Sequence, residues 1–74
     1  MLPVQSKMAR AATGLGIREL ASAAGVSPDT ISRLERGETL APRTLAAIRT
    51  ALEAAGVTFT NGDEPGVKLK RQHD

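Results

Sequence analysis

Four glycines divide the sequence up to residue 56 into segments that have the apolar spacing of short helices. They are Gly14, Gly25, Gly37 and Gly56. Glycine often follows the last residue of a helix because it adopts the left-handed backbone conformation at little cost. The predicted helices cover residues 3–13, 17–24, 28–36 and 42–55. The third has the clearest start, because Ser27 can cap it, Pro28 suits its first position and Asp29 places negative charge in its first turn.

After Gly56 the apolar spacing changes from about 3.6 residues to 2. Residues 57–60 and 67–70 alternate between apolar and polar side chains, and a segment of turn-forming residues, 61–66, separates them. This pattern predicts a β-hairpin. We therefore expect a mainly α fold with four helices and a C-terminal β-hairpin. The expected organisation is a helical domain over 1–56, a hairpin over 57–70 and a disordered tail over 71–74.

The composition leaves few side chains for catalysis or metal binding. The 74 residues include no cysteine, and the single histidine is the penultimate residue. We therefore expect no enzymatic activity, no metal site and no cofactor. No apolar run approaches the ~20 residues of a membrane span and no signal peptide opens the sequence, so the expected location is the cytoplasm. Ten Lys and Arg residues against eight Asp and Glu give a net charge of +2, which alone does not identify a nucleic-acid-binding protein.

The second and third predicted helices can form a compact pair. Ala21 is small enough for a close helix crossing, Gly25 provides the turn, and the apolar anchors are Val26, Ile31 and Leu34. Residues 10–56 resemble the lambda-repressor-like (xenobiotic-response-element) helix-turn-helix family. The resemblance rests on Arg-Glu-Leu-Ala at 18–21, Ala-Gly-Val-Ser at 24–27 and Ile-Ser-Arg-Leu-Glu-Arg-Gly at 31–37. It implies a domain that binds double-stranded DNA.

The third helix has one apolar and one polar face. At about 100° per residue, Ile31 and Leu34 lie opposite the face that the family inserts into the major groove. The residues expected to contact bases are Pro28, Asp29, Ser32 and Arg33. Arg33 is the strongest candidate, because a guanidinium can donate two hydrogen bonds to guanine. The alternative for Arg33 is that it is a solvated arginine that pairs with Asp29. The alternative for Asp29 is that it only complements the helix dipole.

A second group of side chains should contact the DNA backbone and fix the register of the protein on it. These residues are Ser27, Thr30, Arg36 and Arg43. The alternative for the two arginines is an ordinary solvated charge. Where the family commonly has glutamine at the first position of the second helix, this chain has Ile17, so the phosphate contact of that glutamine should be missing.

Glu35 lies beside Ile31 on the helical wheel, towards the buried side, where an unpaired carboxylate would be costly. Arg10 occupies the family position that pairs with it, so the resemblance implies an internal ion pair between Arg10 and Glu35. In the alternative, both residues are half exposed and independent. The rest of the core-facing side of the first helix is thin, with Ala9, Ala12 and Thr13.

The apolar face of the hairpin needs a cover, because an isolated two-stranded hairpin is marginal in water. This face consists of Val57, Phe59, Val67 and Leu69. It could fold over the chain's own helices or meet a second subunit, and we expect the latter, with Phe59 as the anchor of a homodimer. The expected function is that of a transcriptional repressor on a palindromic operator. The alternatives are an antitoxin-type module whose hairpin binds a protein partner, and a non-specific nucleoid protein, which the modest charge disfavours.

Overall fold

A computed structural model describes residues 1–70 and shows four α-helices followed by a two-stranded antiparallel sheet. The predicted mainly α fold with a C-terminal hairpin is therefore confirmed. The elements are α1 (Pro3–Thr13), α2 (Ile17–Ala24), α3 (Pro28–Glu35), α4 (Pro42–Ala54), β1 (Val57–Thr60) and β2 (Gly66–Leu69). The tail expected over 71–74 lies outside the described residues.

The turn between α2 and α3 is formed by local backbone and side-chain bonds. Gly25 has a φ of 71°, in the left-handed region, which lets the Val26 N–H donate to the Ala21 carbonyl at 3.0 Å. Ser27 then caps α3, since its Oγ accepts from the Thr30 N–H at 3.2 Å. These bonds fix the angle at which α3 leaves α2.

A single apolar core lies between the helices and the hairpin. Helix α2 packs against both α3 and α4, and Ala21 is buried at the crossing, as its small size predicted. Helix α1 packs against α3 and both strands, and α4 packs against β1. The buried apolar residues are Ala9, Leu20, Ala21, Ile31, Leu34, Leu40, Ile48, Leu52, Val57 and Phe59.

The hairpin folds onto the chain's own helices, in the register Val57↔Leu69 and Phe59↔Val67. Val57 is 3% exposed and Phe59 is 6% exposed within the one chain. Val57 and Phe59, predicted to anchor a second subunit, are instead covered by α1 and α4 of the same chain, so little of their side chains is left for a partner to contact. The Arg49 guanidinium also lies 5.4 Å from the centre of the Phe59 ring. Val67 is half-buried against the core, and only Leu69 remains largely exposed, at 53%.

The first helix contributes polar residues to the interior that the apolar pattern did not reveal. Gln5 is buried, and its Nε2 donates to the carbonyls of Thr60 and Gly66, each at 3.0 Å. Its Oε1 accepts from the Leu2 N–H at 2.7 Å. One amide side chain therefore joins the beginning of α1 to both strands of the hairpin.

Candidate nucleic-acid interface

The polar face of α3 is open, and its apolar face is buried. Ile31 and Leu34 are buried beneath the helix. The four residues predicted to contact bases lie at the surface: Pro28 and Asp29 are exposed, and Ser32 and Arg33 are half-buried. A helix held in this way by its apolar residues can present the opposite side chains to a groove of DNA.

The first turn of α3 is held by hydroxyl groups. The Oγ of Ser27 and the Oγ1 of Thr30 lie 2.9 Å apart, and Ser27 also caps the helix. Both residues line an open cleft of about 400 Å³ between the start of α3 and the start of α4, together with Arg33, Thr39 and Thr44. Hydroxyl and guanidinium groups readily donate hydrogen bonds to phosphate oxygens.

Arg33 and Arg36 converge on one carboxylate in the loop after α3. The Nε of Arg33 donates to one oxygen of Glu38 at 3.1 Å, and the Nη2 of Arg36 donates to the other at 2.9 Å. The ion-pair partner of Arg33 is thus Glu38, and not Asp29 as in the alternative considered from the sequence. Hydrogen bonds from Arg36 and then Arg33 lower the pKa of Glu38 below its ordinary value.

Glu38 was missed in the sequence because it lies outside the helix. A helical wheel assigns neighbours by their angle around the axis, and it gives no position for a residue in the loop that follows. The only available signal was the sequence distance of two residues between Arg36 and Glu38. Arg43, the remaining predicted phosphate contact, is exposed in the first turn of α4.

Beneath this surface, α3 is tied to α1 through Glu35. The Nε and Nη2 of Arg10 donate to the two carboxylate oxygens of Glu35 at 2.8 and 2.7 Å. The hydroxyl of Ser6, which the sequence analysis did not identify, donates to the same carboxylate at 2.7 Å. The Glu35 side chain is 6% exposed and that of Arg10 is 22% exposed.

The ionisation of Glu35 depends on these donors. Burial by itself would raise the pKa of the carboxyl group, but the hydrogen bonds from Arg10 and Ser6 outweigh it, so the pKa lies below its ordinary value. The hydrogen bond to Glu35 raises the pKa of Arg10 in turn. The pair stays ionised at neutral pH and holds the last turn of α3 against α1.

Comparison with known proteins gives a second, independent line of evidence about the chain. Among residues 1–70, no helix is long and apolar enough to cross a membrane. A search of curated proteins found no match. A family model described as a helix-turn-helix domain matches residues 7–61, which include all four helices except the start of α1 and also cover β1. The chain therefore belongs to the helix-turn-helix domain family of the lambda-repressor-like type, a family of DNA-binding domains.

Proposed function

We propose that the chain is a sequence-specific transcriptional regulator that reads the major groove with the exposed face of α3. The observation that carries this proposal is the state of Arg33. Its Nε is held by Glu38, and this bond leaves the two terminal Nη atoms for a base. A guanidinium that presents this pair of donors matches O6 and N7 of guanine. Pro28, Asp29 and Ser32 lie on the same face and would set the fit at neighbouring bases.

The proposed contacts with the DNA backbone lie on either side of the exposed face of α3. Arg36 and Arg43 are exposed at the end of α3 and the start of α4, where both can approach phosphates. Ser27 and Thr30 lie at the other end of α3 and line the cleft described above. Contacts of this kind fix the position of the helix on the duplex and carry little sequence information themselves.

The test begins with selection of bound duplexes from a random-sequence library, followed by sequencing. Arg33→Ala should then cost about 1–3 kcal/mol on the selected duplex and relax the preference at one base pair. Arg43→Ala should weaken binding to selected and scrambled duplexes alike and reduce the salt slope by about one. Arg49→Gln is the control, because it removes a charge from the same helix as Arg43 but beside Phe59. An unchanged ranking of operator variants with Arg33→Ala would contradict base reading.

We further propose that the protein acts as a repressor and binds a palindromic operator as a homodimer. One helix reads only a few base pairs, and a second copy doubles the reading if the two recognition helices lie about 34 Å apart. Apolar side chains remain exposed around β2 and α1, and a second copy would bury them. They are Leu2, Val4, Met8 and Leu69. Among residues 1–70 the sheet contains two strands, so each strand of the hairpin also has an edge without a neighbouring strand.

Light scattering at tens of micromolar tests the dimer. The mass should be near twice 7.7 kDa, and Leu69→Lys should reduce it to one chain and weaken operator binding. Thr58→Glu is the control, because it also adds a charge to the hairpin but on the opposite face, where Thr58 pairs with Lys68. A monomer that still binds the operator tightly would overturn the dimer, and a reporter gene whose expression rises with the protein would overturn repression.

A further inference from the structure

The loop after α3 places a negative charge in the middle of the positive surface. Glu38 uses both carboxylate oxygens, one for Arg33 and one for Arg36. The side chain of Arg33 is 42% exposed, that of Glu38 is 45% exposed and that of Arg36 is 60% exposed. Exposed ion pairs of this kind add little to folding stability. The salt bridge that Glu38 forms with Arg33 and Arg36, called the bridge below, therefore has a small role in the fold. Its main effects are on the orientation of the two arginine side chains and on the net charge of this part of the surface.

We propose that Glu38 is a specificity-determining residue, which orients Arg33 for base reading and weakens the attraction of both arginines to phosphates of any sequence. This inference rests on the proposed function, in which α3 reads DNA. Glu38 itself needs no contact with DNA for this role.

The atoms used in the bridge support the first half of the proposal. Glu38 accepts from the Nε of Arg33, so it holds the guanidinium by one edge. The other edge, with both terminal Nη atoms, stays available for a two-bond contact with O6 and N7 of guanine. A guanidinium fixed in this way loses less side-chain entropy on binding the correct base than a free one does.

The charges support the second half. Two guanidinium groups and one carboxylate leave a single net positive charge at the end of α3. Binding to DNA of any sequence depends on how many phosphates the protein neutralises, whereas the correct base pair adds hydrogen bonds. Removing the carboxylate would therefore strengthen binding to random DNA more than binding to the operator. Since the arginines lower the pKa of Glu38, the carboxylate stays charged at neutral pH.

The experiment compares Glu38→Ala and Glu38→Gln with wild type on two duplexes of equal length, the selected one and a scrambled one. Fluorescence anisotropy over a range of NaCl concentrations gives the affinities and salt slopes. Glu38→Ala should bind the scrambled duplex about tenfold more tightly at ~0.1 M salt, with a slope steeper by about one. Its ratio of selected to scrambled affinity should fall about tenfold.

Glu38→Gln separates charge from orientation. It loses the charge, so its salt slope should match that of Glu38→Ala. It keeps an oxygen that can accept from the Nε of Arg33, so it should keep more of the affinity ratio. The control is Glu53→Ala, because Glu53 is also 45% exposed and pairs with Arg49 on α4. Glu53→Ala should leave both the slope and the ratio unchanged.

The ion pair between Arg33 and Glu38 can also be measured directly in the absence of DNA. In nitrogen-15 NMR spectra, the Nε–H of Arg33 should exchange with water several-fold faster in Glu38→Ala than in wild type or Glu53→Ala. Urea midpoints of the three proteins should agree closely, which a purely structural role for Glu38 would not give. If wild type enriches no sequence, the proposed function fails and this inference fails with it. If wild type enriches one and Glu38→Ala keeps the affinity ratio, or the Arg33 exchange rate is unchanged, the proposal for Glu38 alone is overturned.

Discussion

Replacement of Arg10 by Met should destabilise the domain by an amount that follows from the contacts of Glu35. The change removes two of the three hydrogen bonds that the carboxylate accepts and leaves only the one from Ser6. Breaking a buried ion pair from one side costs about 3–5 kcal/mol. Arg10 is 22% exposed, so water can reach part of the space it vacates. We therefore expect a loss near the lower limit, about 3 kcal/mol.

The partner substitution tests whether this loss comes from the pair. In Arg10→Met/Glu35→Leu no charge is left unpaired, but the buried Ser6 hydroxyl loses its acceptor, so the double variant should lose about 1–3 kcal/mol, less than the sum of the two single losses. Because a domain of this size has only about 3–5 kcal/mol of stability, Arg10→Met will be partly unfolded in buffer. Wild type, the two single variants Arg10→Met and Glu35→Leu, and the double variant should therefore be compared by urea unfolding in the same concentration of a stabilising osmolyte. Far-UV circular dichroism gives the signal.

Glu53→Ala provides the matched control, since it breaks an exposed i,i+4 ion pair with Arg49. It should cost only about 0.3–0.5 kcal/mol. If the effects of Arg10→Met and Glu35→Leu add within about 0.5 kcal/mol, the two side chains are not coupled and the reasoning is wrong.

Three further predictions follow from the same contacts. The folded-state pKa of Glu35 lies below its ordinary value of 4.5, so the stabilisation of the fold by its carboxylate is present above that pH and is lost as the pH falls through the folded-state pKa. Urea midpoints of wild type should therefore drop more steeply below pH ~4.5 than those of Arg10→Met/Glu35→Leu. Parallel curves for the two proteins would contradict this. Gln5→Leu leaves the half-buried carbonyls of Thr60 and Gly66 without their donor and should cost about 1–3 kcal/mol, with hydrogen exchange in β2 accelerated. Unchanged protection of β2 would show that the amide is dispensable. Phe59→Ala should cost about 3–5 kcal/mol and lower the melting temperature at every protein concentration, whereas an effect seen only near the dimer dissociation constant would place Phe59 between subunits.

The helices could be predicted from the sequence because their ends carry local signals. Ser27, Pro28 and Gly25 act within a few residues of their own position, through one cap, one fixed φ and one left-handed turn. The buried face of α3 was equally accessible, since Ile31 and Leu34 fall on one side of any helix drawn through them. The same periodicity placed Arg33 on the open face.

The remaining features depend on contacts between distant segments. An apolar pattern assigns polar residues to the surface, so it could not show that Gln5 and Ser6 are buried and hydrogen-bonded. The alternation in β1 correctly required a cover for Phe59, but it does not distinguish the chain's own helices from those of a second chain. Glu38 belongs to a loop, where side-chain direction has no fixed period.

The bonds from Gln5 also determine how the domain can fold. Residue 5 must meet residues 55 and 61 positions further along the chain. Closing a loop of that length costs roughly 3.5 kcal/mol of chain entropy, which the local helical contacts do not repay. A nascent chain that ends after α4 can form helical turns but has no acceptors for the Gln5 amide. Helices α2, α3 and α4, which lie between the two joined segments, should therefore become rigid only after β2 has been synthesised, and folding should be slower than for a bundle held by neighbouring contacts alone.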